Sequence, residues 1–416
     1  MMAACEMAFW AGVLWLGYVY LGYPALLWIL GAFRVRREPP ALGDDDLPIV
    51  SVLVSARNEQ NDIGWKIAET LGWNYPAAKL EMIVASDASE DGTDEILQGV
   101  SDPRFRFLKL ETRQGKNEAL NRLATLARGD LLFFTDANSH IEPDCLRRMV
   151  RHFAGARVGC VTGSERTIRS DEVAMVTGTR AFLEYESLVN MLESRLGSVL
   201  VCDGSIFCMR RSLFSTLEPD LANDLELPLH VGAAGYEILF DPEAVSWEKA
   251  TSVPREEFRR KKRICGQGSV GLWRMRRHVS GLRAWQFLSR KILRWLGVVP
   301  LALILLSSVA LVRIPLYAIA LALQLAFYGL ALTGWRLATT RAEVNRLVTL
   351  PFYFMTVNVA AFAGVCAAIG GKRFSVWDSP TQSRGQKPDH RACASGTAAP
   401  GIPAPSTELR ARKYPS

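Results

Sequence analysis

The chain has 416 residues, of which 49% are hydrophobic, and its mean hydropathy is slightly positive at +0.09. This length can hold one large domain or two ordinary ones, and the hydropathy excludes a wholly soluble protein. The formal net charge of +7 suits nucleic acid, anionic lipid or phosphate-bearing substrates. Because most basic residues flank apolar segments or lie in residues 255–277, we expect a membrane surface and phosphate groups, and no nucleic acid, as partners.

The eight cysteines are scattered along the chain and form no CxxC pair. This spacing predicts neither a zinc site nor a disulfide framework. It therefore favours a reducing compartment for the bulk of the chain.

An apolar, aromatic segment without Lys or Arg occupies residues 7–33, and Arg34, Arg36 and Arg37 follow it at once. Its length exceeds the roughly 20 residues with which a helix crosses a bilayer. A signal peptide carries its positive charge before the apolar run, so this order indicates a retained anchor instead. The arginines predict that its N-terminus lies outside and the following residues in the cytosol. Residues 34–46, with paired prolines and three aspartates, read as a linker.

From residue 47 to about residue 250, short β-rich runs alternate with helical stretches. This alternation predicts an α/β fold with a mostly parallel sheet that is covered on both faces. Ligands of such sheets bind in the crevice at the carboxyl ends of the strands. We predict strands at 49–55, 81–86, 105–110, 130–135, 158–163 and 200–205, and helices at 63–71, 91–97, 116–127, 174–196 and 223–234.

The fourth predicted strand ends at Asp136, and Asn138 follows two positions later in LLFFTDANSH. Side chains two residues apart in an extended or turning segment can point the same way. Asp136 and Asn138 could therefore hold a hard cation and, through it, a diphosphate. The alternative is an ordinary turn, since Asp, Asn and Ser are turn formers.

Polar residues also follow the first three strands: Arg57 and Glu59 after the first, Asp87 after the second, and Lys116 after the third. Lys116 comes directly after Gly115 at a predicted helix start, a position that suits an anion. Each residue has a structural alternative: a helix cap for Glu59, an Asx-turn for Asp87 and a solvated charge for Lys116. Their joint placement around one crevice favours the binding role.

Asp224 opens the predicted helix at 223–234, where it is either a helix cap or a general base for a hydroxyl. The basic run Arg259 to Arg263 follows in residues 255–277. Five successive cations repel one another and surround a helix, so some of them should meet phosphates or lipid headgroups. The alternative is an interfacial helix that touches only lipid.

Three further apolar segments, at residues 296–312, 315–335 and 347–369, are long enough for membrane helices. The arginines between the last two place that loop in the cytosol. Three crossings would then leave the C-terminal tail outside although it is basic, so one segment is a candidate for a re-entrant or interfacial helix. The tail, residues 372–416, lacks the apolar content to fold alone.

Seven motifs in order resemble the membrane-bound family-2 glycosyltransferases, the relatives of cellulose, chitin and hyaluronan synthases and of bacterial exopolysaccharide transferases. The resemblance covers residues 50–272, and the flanking apolar segments fit it. The motifs are PIVSVLVSARNE, VASDASEDGTDEI, RQGKNEALN, LLFFTDANS, CDGSIFCMRR, the Asn223 and Asp224 pair, and RRKKRI.

The resemblance implies a GT-A fold, a nucleotide-diphosphate sugar donor, with UDP as the expected nucleotide, and Mg²⁺ or Mn²⁺. It places the uridine near Ala56, Arg57, Glu59 and Asp87, and Lys116 near the nucleotide. Asp136 matches the first Asp of the family's DxD motif, and Asp224 matches the proposed base of its TED motif. Arg260 and Arg263 match the first residue and the Arg of its QxxRW motif, near the diphosphate.

The chain departs from the family pattern at three positions. Asn138 replaces the second Asp of DxD, which removes charge from the metal site. Asn223 replaces an acidic residue before the base, and Ile264 stands in place of the Trp of QxxRW. The change at Ile264 leaves chain extension and transfer of one or a few sugars equally open.

The chemistry needs a base for the incoming hydroxyl and cations for the departing diphosphate. Asp224 suits the first role, and a metal on Asp136 with Lys116, Arg260 and Arg263 suits the second, so one-step attack would invert the sugar. Two other classes stay open: a non-catalytic nucleotide-sugar sensor or scaffold, and a nucleotidyltransferase, which the SARNE sequence in place of a glycine-rich loop disfavours.

The predicted protein is a multi-pass transferase of the plasma (inner) membrane with a cytosolic catalytic domain. Its acceptor is a polysaccharide or a lipid-linked glycan, and export or assembly proteins are potential partners. The expected organisation is an anchor at 1–33, a linker at 34–46, a GT-A domain at 47–290, an apolar region at 291–371 and the tail at 372–416.

Overall fold

The computed structural model describes residues 1–34, 38–168, 174–249, 251, 253–339 and 345–372. These residues form an eight-stranded mixed sheet in the order β3-β2-β1-β4-β7-β6-β8-β5, with helices on both faces. The strands are β1 Val50–Ala56, β2 Leu80–Asp87, β3 Phe105–Leu110, β4 Leu131–Phe134, β5 His140–Ile141, β6 Val158–Thr167, β7 Phe207–Arg210 and β8 Glu237–Glu248.

The helices follow the chain from the N-terminal apolar segment to the C-terminal one. They are α1 Met2–Gly17, α2 Tyr23–Ala32, α3 Ile63–Leu71, α4 Thr93–Gln98, α5 Lys116–Leu126, α6 Cys145–Val150, α7 Ala174–Arg195, α8 Asn223–Ala233, α9 Pro254–Met275, α10 Gly281–Phe287, α11 Leu293–Trp295, α12 Val298–Ala310, α13 Pro315–Thr339 and α14 Arg346–Ile369.

The first half of the sheet is parallel, as the alternating sequence predicts. β1 pairs with β2 and β4, and β2 pairs with β3. Successive side chains of a strand point to opposite faces, so Val52 and Val54 join the core under α3 and α6 while Leu53 joins the core under α5. This double burial explains why the strands read as continuous apolar runs. It also confirms the predicted α/β fold with a mostly parallel sheet.

The second half of the sheet differs from the prediction. The strand predicted at 200–205 is wrong, because β7 begins only at Phe207. Asp203 bends the chain before it: its carboxylate accepts hydrogen bonds from the backbone N–H of Ser205 at 2.9 Å and from the Ser205 hydroxyl at 2.6 Å. β8 was not predicted, and it pairs in parallel with β6 through an irregular register.

The N-terminal helices are joined by a π-helical turn, Tyr18–Gly22. Helix α2 packs on α7, whereas α1 packs on α12. The Tyr23 hydroxyl donates to the carboxylate of Glu193 on α7 at 2.5 Å. Arg290, in the turn after α10, donates to the same carboxylate at 2.6 Å and to Glu186 at 2.8 Å. A buried ionic cluster therefore ties three separate parts of the chain together.

Three helices among the described residues are apolar and long enough to cross a membrane, at Met2–Ala32, Pro315–Ala338 and Arg346–Ile369. A fourth candidate is the helix pair Gly281–Trp295 and Val298–Ala310, which is bent by 57°. This bend lies at the start of the first C-terminal apolar segment. The sequence predicts that one of the three C-terminal apolar segments is a candidate for a re-entrant or interfacial helix. The predicted tail falls outside the described residues from position 373 onward.

Candidate active site

One polar pocket of about 470 Å³ opens at the carboxyl ends of β1, β2 and β4, a volume suited to a small-molecule ligand. Nine of the ten predicted site residues line it. The exception is Ala56, which is 1% exposed and packs in the hydrophobic core, so its side chain does not line the pocket and its contact with the nucleotide stays a prediction. The nine are Arg57, Glu59, Asp87, Lys116, Asp136, Asn138, Asp224, Arg260 and Arg263.

Arg57 joins the ends of the first two strands. Its guanidinium donates to the backbone carbonyls of Asp87 and Ala88, both at 3.0 Å, and to the carboxylate of Glu90 at 3.1 Å. The neighbouring Asn58 has a positive φ of 53°, a conformation that Asn tolerates better than most residues. These contacts build one rim of the pocket from two loops.

Asp87 shapes the loop that precedes α5. Its two carboxylate oxygens accept hydrogen bonds from the backbone N–H groups of Gln114 at 2.6 Å and Gly115 at 2.9 Å. Gly115 has a φ of 90°, which favours glycine and turns the chain into the helix. Asp87 therefore fixes the position at which Lys116 enters the pocket.

Lys116 and Asp136 form an ion pair in the pocket, with 2.5 Å between Nζ and Oδ1. Burial lowers the pKa of Lys116, but the charge and hydrogen bond of Asp136, together with the charges of Asp224 and Glu248, raise the pKa above its usual value. Both side chains remain about one-third exposed, at 32% and 35%, so each can turn toward a ligand. Asn138 is exposed at the same edge of the pocket.

Asp224 lies in the first turn of α8, and its side chain does not cap the helix, whose N-cap is Ala222. A Cβ atom added to Gly204 would lie 3.5 Å from its Oδ2, so this glycine leaves space beside the carboxylate. The backbone N–H of Cys202 donates to the Asp224 carbonyl at 3.0 Å, which fixes the turn. Burial raises the pKa of Asp224, while Lys116 and Arg263 oppose the rise.

Helix α9 carries the basic run and presents Arg260, Arg263 and Gln267 to the pocket. The Arg263 guanidinium donates to Gln267 at 3.1 Å. Burial and the charge of Arg260 lower the pKa of Arg263 to about 10, which still leaves it charged at neutral pH. Ile264, where the resembling family has Trp, also lines the pocket and is 41% exposed.

The pocket also has an acidic wall that was not predicted from the sequence. It is formed by Glu165 near the end of β6, Asp203 before β7 and Glu248 at the end of β8. Burial and mutual repulsion raise the pKa of Glu165 and of Glu248 to about 7, and raise that of Asp203 well above its usual value. These residues could have been found from their positions, because each lies at the end of a strand or just before one. The position of Glu248 was hidden, however, because β8 was not predicted.

Asp136 and Asn138 could hold a hard divalent cation only together with ligands from a bound substrate and water. Among the described residues, no group of three or more His, Cys, Asp or Glu side chains could hold a metal ion by itself. Mg²⁺, however, is commonly held by one or two carboxylates together with substrate phosphates and water. The Asp136 carboxylate and the Asn138 amide oxygen at the pocket edge suit that arrangement.

The sheet order, the crevice at its carboxyl edge and the acidic residue at the end of β4 define a GT-A-like α/β fold. A similar fold is found in the structure of the mannosyltransferase PcManGT from Pyrobaculum calidifontis in complex with GDP-Man and Mn²⁺. The TM-score is 0.61 at 22% identity, over 89% of this chain and 100% of that chain. At this identity, the similarity establishes the fold alone.

Residues 51–217 match the family described as Glycosyl transferase family 2, so the chain contains a family-2 glycosyl transferase domain. The probable glycosyltransferase YdaM of Bacillus subtilis (strain 168) is 30% identical over 220 residues, which are 49% of this chain and 51% of that protein.

A second relative is the poly-beta-1,6-N-acetyl-D-glucosamine synthase of Staphylococcus aureus (strain MSSA476). It is 26% identical over 241 residues, which are 54% of this chain and 57% of that protein. The chain thus spans a little over half the length of these curated relatives.

Proposed function

We propose that the protein is a membrane-bound, inverting glycosyltransferase that uses a nucleotide-diphosphate sugar, with a UDP-sugar as the expected donor. The observation that carries this proposal is the composition of one pocket: a carboxylate of raised pKa, Asp224, lines the same pocket as the cationic groups Lys116, Arg260 and Arg263. A glycosyl transfer needs both, a base for the acceptor and positive charge for the departing diphosphate.

The nucleotide belongs at the rim that β1 and β2 form. Arg57 and Glu59 line this rim, and Asp87 holds the adjacent loop through two backbone N–H groups. Two loops fixed by hydrogen bonds make a rigid wall, which supports binding of the flat nucleotide base. We assign these three residues to nucleotide binding.

The diphosphate belongs between Lys116, Arg260 and Arg263, beside Asp136. Lys116 already forms an ion pair with Asp136, and a phosphate would replace the carboxylate as the partner of its ammonium group. Asp136, with Asn138, would hold Mg²⁺ or Mn²⁺, which supplies positive charge to the leaving phosphate when bound. Arg260 and Arg263 would neutralise the remaining phosphate charge from α9.

Asp224 would accept the proton of the acceptor hydroxyl as its oxygen attacks the sugar. Its raised pKa brings the carboxylate closer to the range that suits a base at neutral pH. Attack from the side opposite the diphosphate forms the new bond as the old one breaks, and therefore inverts the anomeric carbon. The proton goes to Asp224 and the electron pair goes to the diphosphate.

A polysaccharide or a lipid-linked glycan is the proposed acceptor. One similar protein is named a poly-beta-1,6-N-acetyl-D-glucosamine synthase, and the apolar helices of the described residues would hold the pocket near a bilayer. Ile264 in place of an aromatic platform favours neither chain extension nor single transfer. We place the catalytic domain, residues 47–290, on the cytosolic side of the plasma (inner) membrane, where nucleotide sugars are made.

The test incubates purified membranes that contain the protein with labelled nucleotide sugars, with and without Mg²⁺ or Mn²⁺. We expect metal-dependent label in the lipid extract or in insoluble polymer, and roughly 10²- to 10⁴-fold slower labelling with Asp224→Asn membranes. A protein that binds nucleotide sugars but neither transfers nor hydrolyses them would instead be a sensor or scaffold, the alternative that Asn138 in the metal site motivates.

A further inference from the structure

Arg260 reaches the pocket from a fixed support on its own helix. The buried carboxylate of Glu257, one turn earlier on α9, accepts hydrogen bonds from Arg260 Nε at 2.9 Å and from Arg260 Nη2 at 3.4 Å. Glu257 is 1% exposed, so the carboxylate that holds Arg260 is shielded from water, while the Arg260 side chain is 26% exposed. An arginine held at two nitrogens has a defined direction, which a free side chain lacks.

Glu257 is itself held from a distant part of the chain. The hydroxyl of Tyr353 on α14 donates to Glu257 Oε1 at 3.1 Å. Lys261 lies 3.7 Å from the same carboxylate, and its ammonium group lies 4.0 Å from the centre of the Phe182 ring. The apolar C-terminal region therefore contacts the pocket indirectly, through one carboxylate.

The Tyr353 ring is confined between helices. It is 4% exposed, and a Cβ atom added to Gly178 of α7 would lie 2.5 Å from its Cβ and Cγ atoms. Further along α14, a Cβ atom added to Gly364 would lie 2.4 Å from the Lys262 carbonyl oxygen of α9. Glycine at both positions allows α14 to pack closely on α7 and α9, which brings the Tyr353 hydroxyl within hydrogen-bond distance of Glu257.

We propose that Tyr353 and Glu257 are positioning residues that hold Arg260 toward the diphosphate, so that α14 is a working part of the nucleotide-sugar site. This inference rests on the proposed function, because Arg260 is assigned there to the diphosphate. It makes the last apolar helix more than a membrane anchor. Any movement of α14 relative to α9 would change how Arg260 is presented to the ligand.

The first test measures the affinity of the purified full-length protein for UDP and for GDP in the presence of Mn²⁺. Tyr353→Phe removes one hydroxyl without changing charge, and we expect it to weaken binding of the preferred nucleotide roughly three- to tenfold, the range of one hydrogen bond. The matched control is Tyr328→Phe on α13, whose hydroxyl accepts a hydrogen bond from Gln324 at 2.7 Å and does not line the pocket. The control should bind as the wild type does.

Glu257→Gln separates positioning from charge by the sign of its effect. Neutralising Glu257 leaves Arg260 and Lys261 with a greater net positive charge, which by itself would tighten binding of a diphosphate. Loss of the support for Arg260 weakens binding instead, and this is the result we expect. Tighter binding would overturn the proposal.

A double-mutant cycle excludes a merely structural role. If Tyr353 acts through Arg260, Tyr353→Phe should have no further effect on nucleotide affinity in an Arg260→Ala background. Equal weakening in both backgrounds would overturn the inference. If the wild type binds neither UDP nor GDP, the proposed function fails as well; if the wild type binds and Tyr353→Phe binds equally well, only the inference fails.

Discussion

Removing the ion pair between Lys116 and Asp136 should have a small effect on stability and a large effect on nucleotide affinity. Lys116→Met removes the ammonium group but keeps most of the side-chain length. In the free protein the pair is partly exposed, with side chains 32% and 35% accessible, so its loss should cost only about 0–1 kcal/mol of stability. The substitution should therefore change the melting temperature little.

The same substitution should change nucleotide affinity strongly. A hydrogen bond from a charged group to a phosphate contributes about 1.5–3 kcal/mol. Its loss therefore raises the dissociation constant roughly 10- to 150-fold. We expect this loss for UDP or GDP, whichever binds the wild type, measured by isothermal titration calorimetry in detergent with Mn²⁺ present.

Arg122→Met on the same helix is the matched control. Arg122 forms a comparable exposed pair, 3.0 Å from Glu118, but does not line the pocket. It should have the same small effect on melting and no effect on affinity. Equal nucleotide affinities for the two variants would refute the placement of the diphosphate beside Lys116.

Two further predictions concern stability. The pKa of Glu165 and that of Glu248 rise from the usual 4.5 to about 7 in the folded chain. Between these pH values the folded state therefore binds more protons than the unfolded state, and the free energy of unfolding falls as the pH rises. Glu165→Gln should reduce this fall in melting temperature, and an unchanged pH dependence would remove Glu165 from the acidic wall. Glu193→Gln weakens the buried cluster around Arg290 and should destabilise the fold by roughly 3–5 kcal/mol. Asp102→Asn, in a partly exposed pair with Arg104, should cost under about 1 kcal/mol, and equal melting temperatures of the two variants would contradict this difference.

The parallel half of the sheet could be predicted because each of its strands is recognisable from its own stretch of sequence. β1, β2 and β4 are mostly apolar runs, while the edge strand β3 alternates apolar residues with Arg106 and Lys109, and each of the four is followed by polar residues that mark the carboxyl edge. The same regularity predicts from the sequence alone that Arg57, Asp87, Lys116 and Asp136 lie around one crevice. All four line the pocket.

The second half of the sheet could not be predicted because the order of its strands depends on pairing between segments that are far apart in the sequence. β8 carries Asp241, Pro242 and Glu243 within an otherwise apolar run, and only its parallel pairing with β6 makes it a continuous strand. The apolar run before Ser205 resembles a strand, but the Leu200 backbone N–H donates to the carboxylate of Glu193.

The acidic wall was missed for the same reason. Its three carboxyl groups come from separate elements that the sheet topology alone brings together. Packing of α14 on α9 likewise joins residues almost 100 positions apart, as the bond between Tyr353 and Glu257 shows. Hydrophobic periodicity reports which residues are buried, but it does not report which buried surfaces meet.

The most direct test of the account compares binding and transfer in Asp224→Asn. The substitution keeps the size and position of the side chain but removes the base, so transfer from the preferred nucleotide sugar should fall by roughly 10²- to 10⁴-fold. Affinity for that donor with Mn²⁺ should stay within about twofold of the wild type, because Asp224 is not placed on the diphosphate. Transfer at the wild-type rate would contradict the central claim that Asp224 takes the acceptor proton in this pocket.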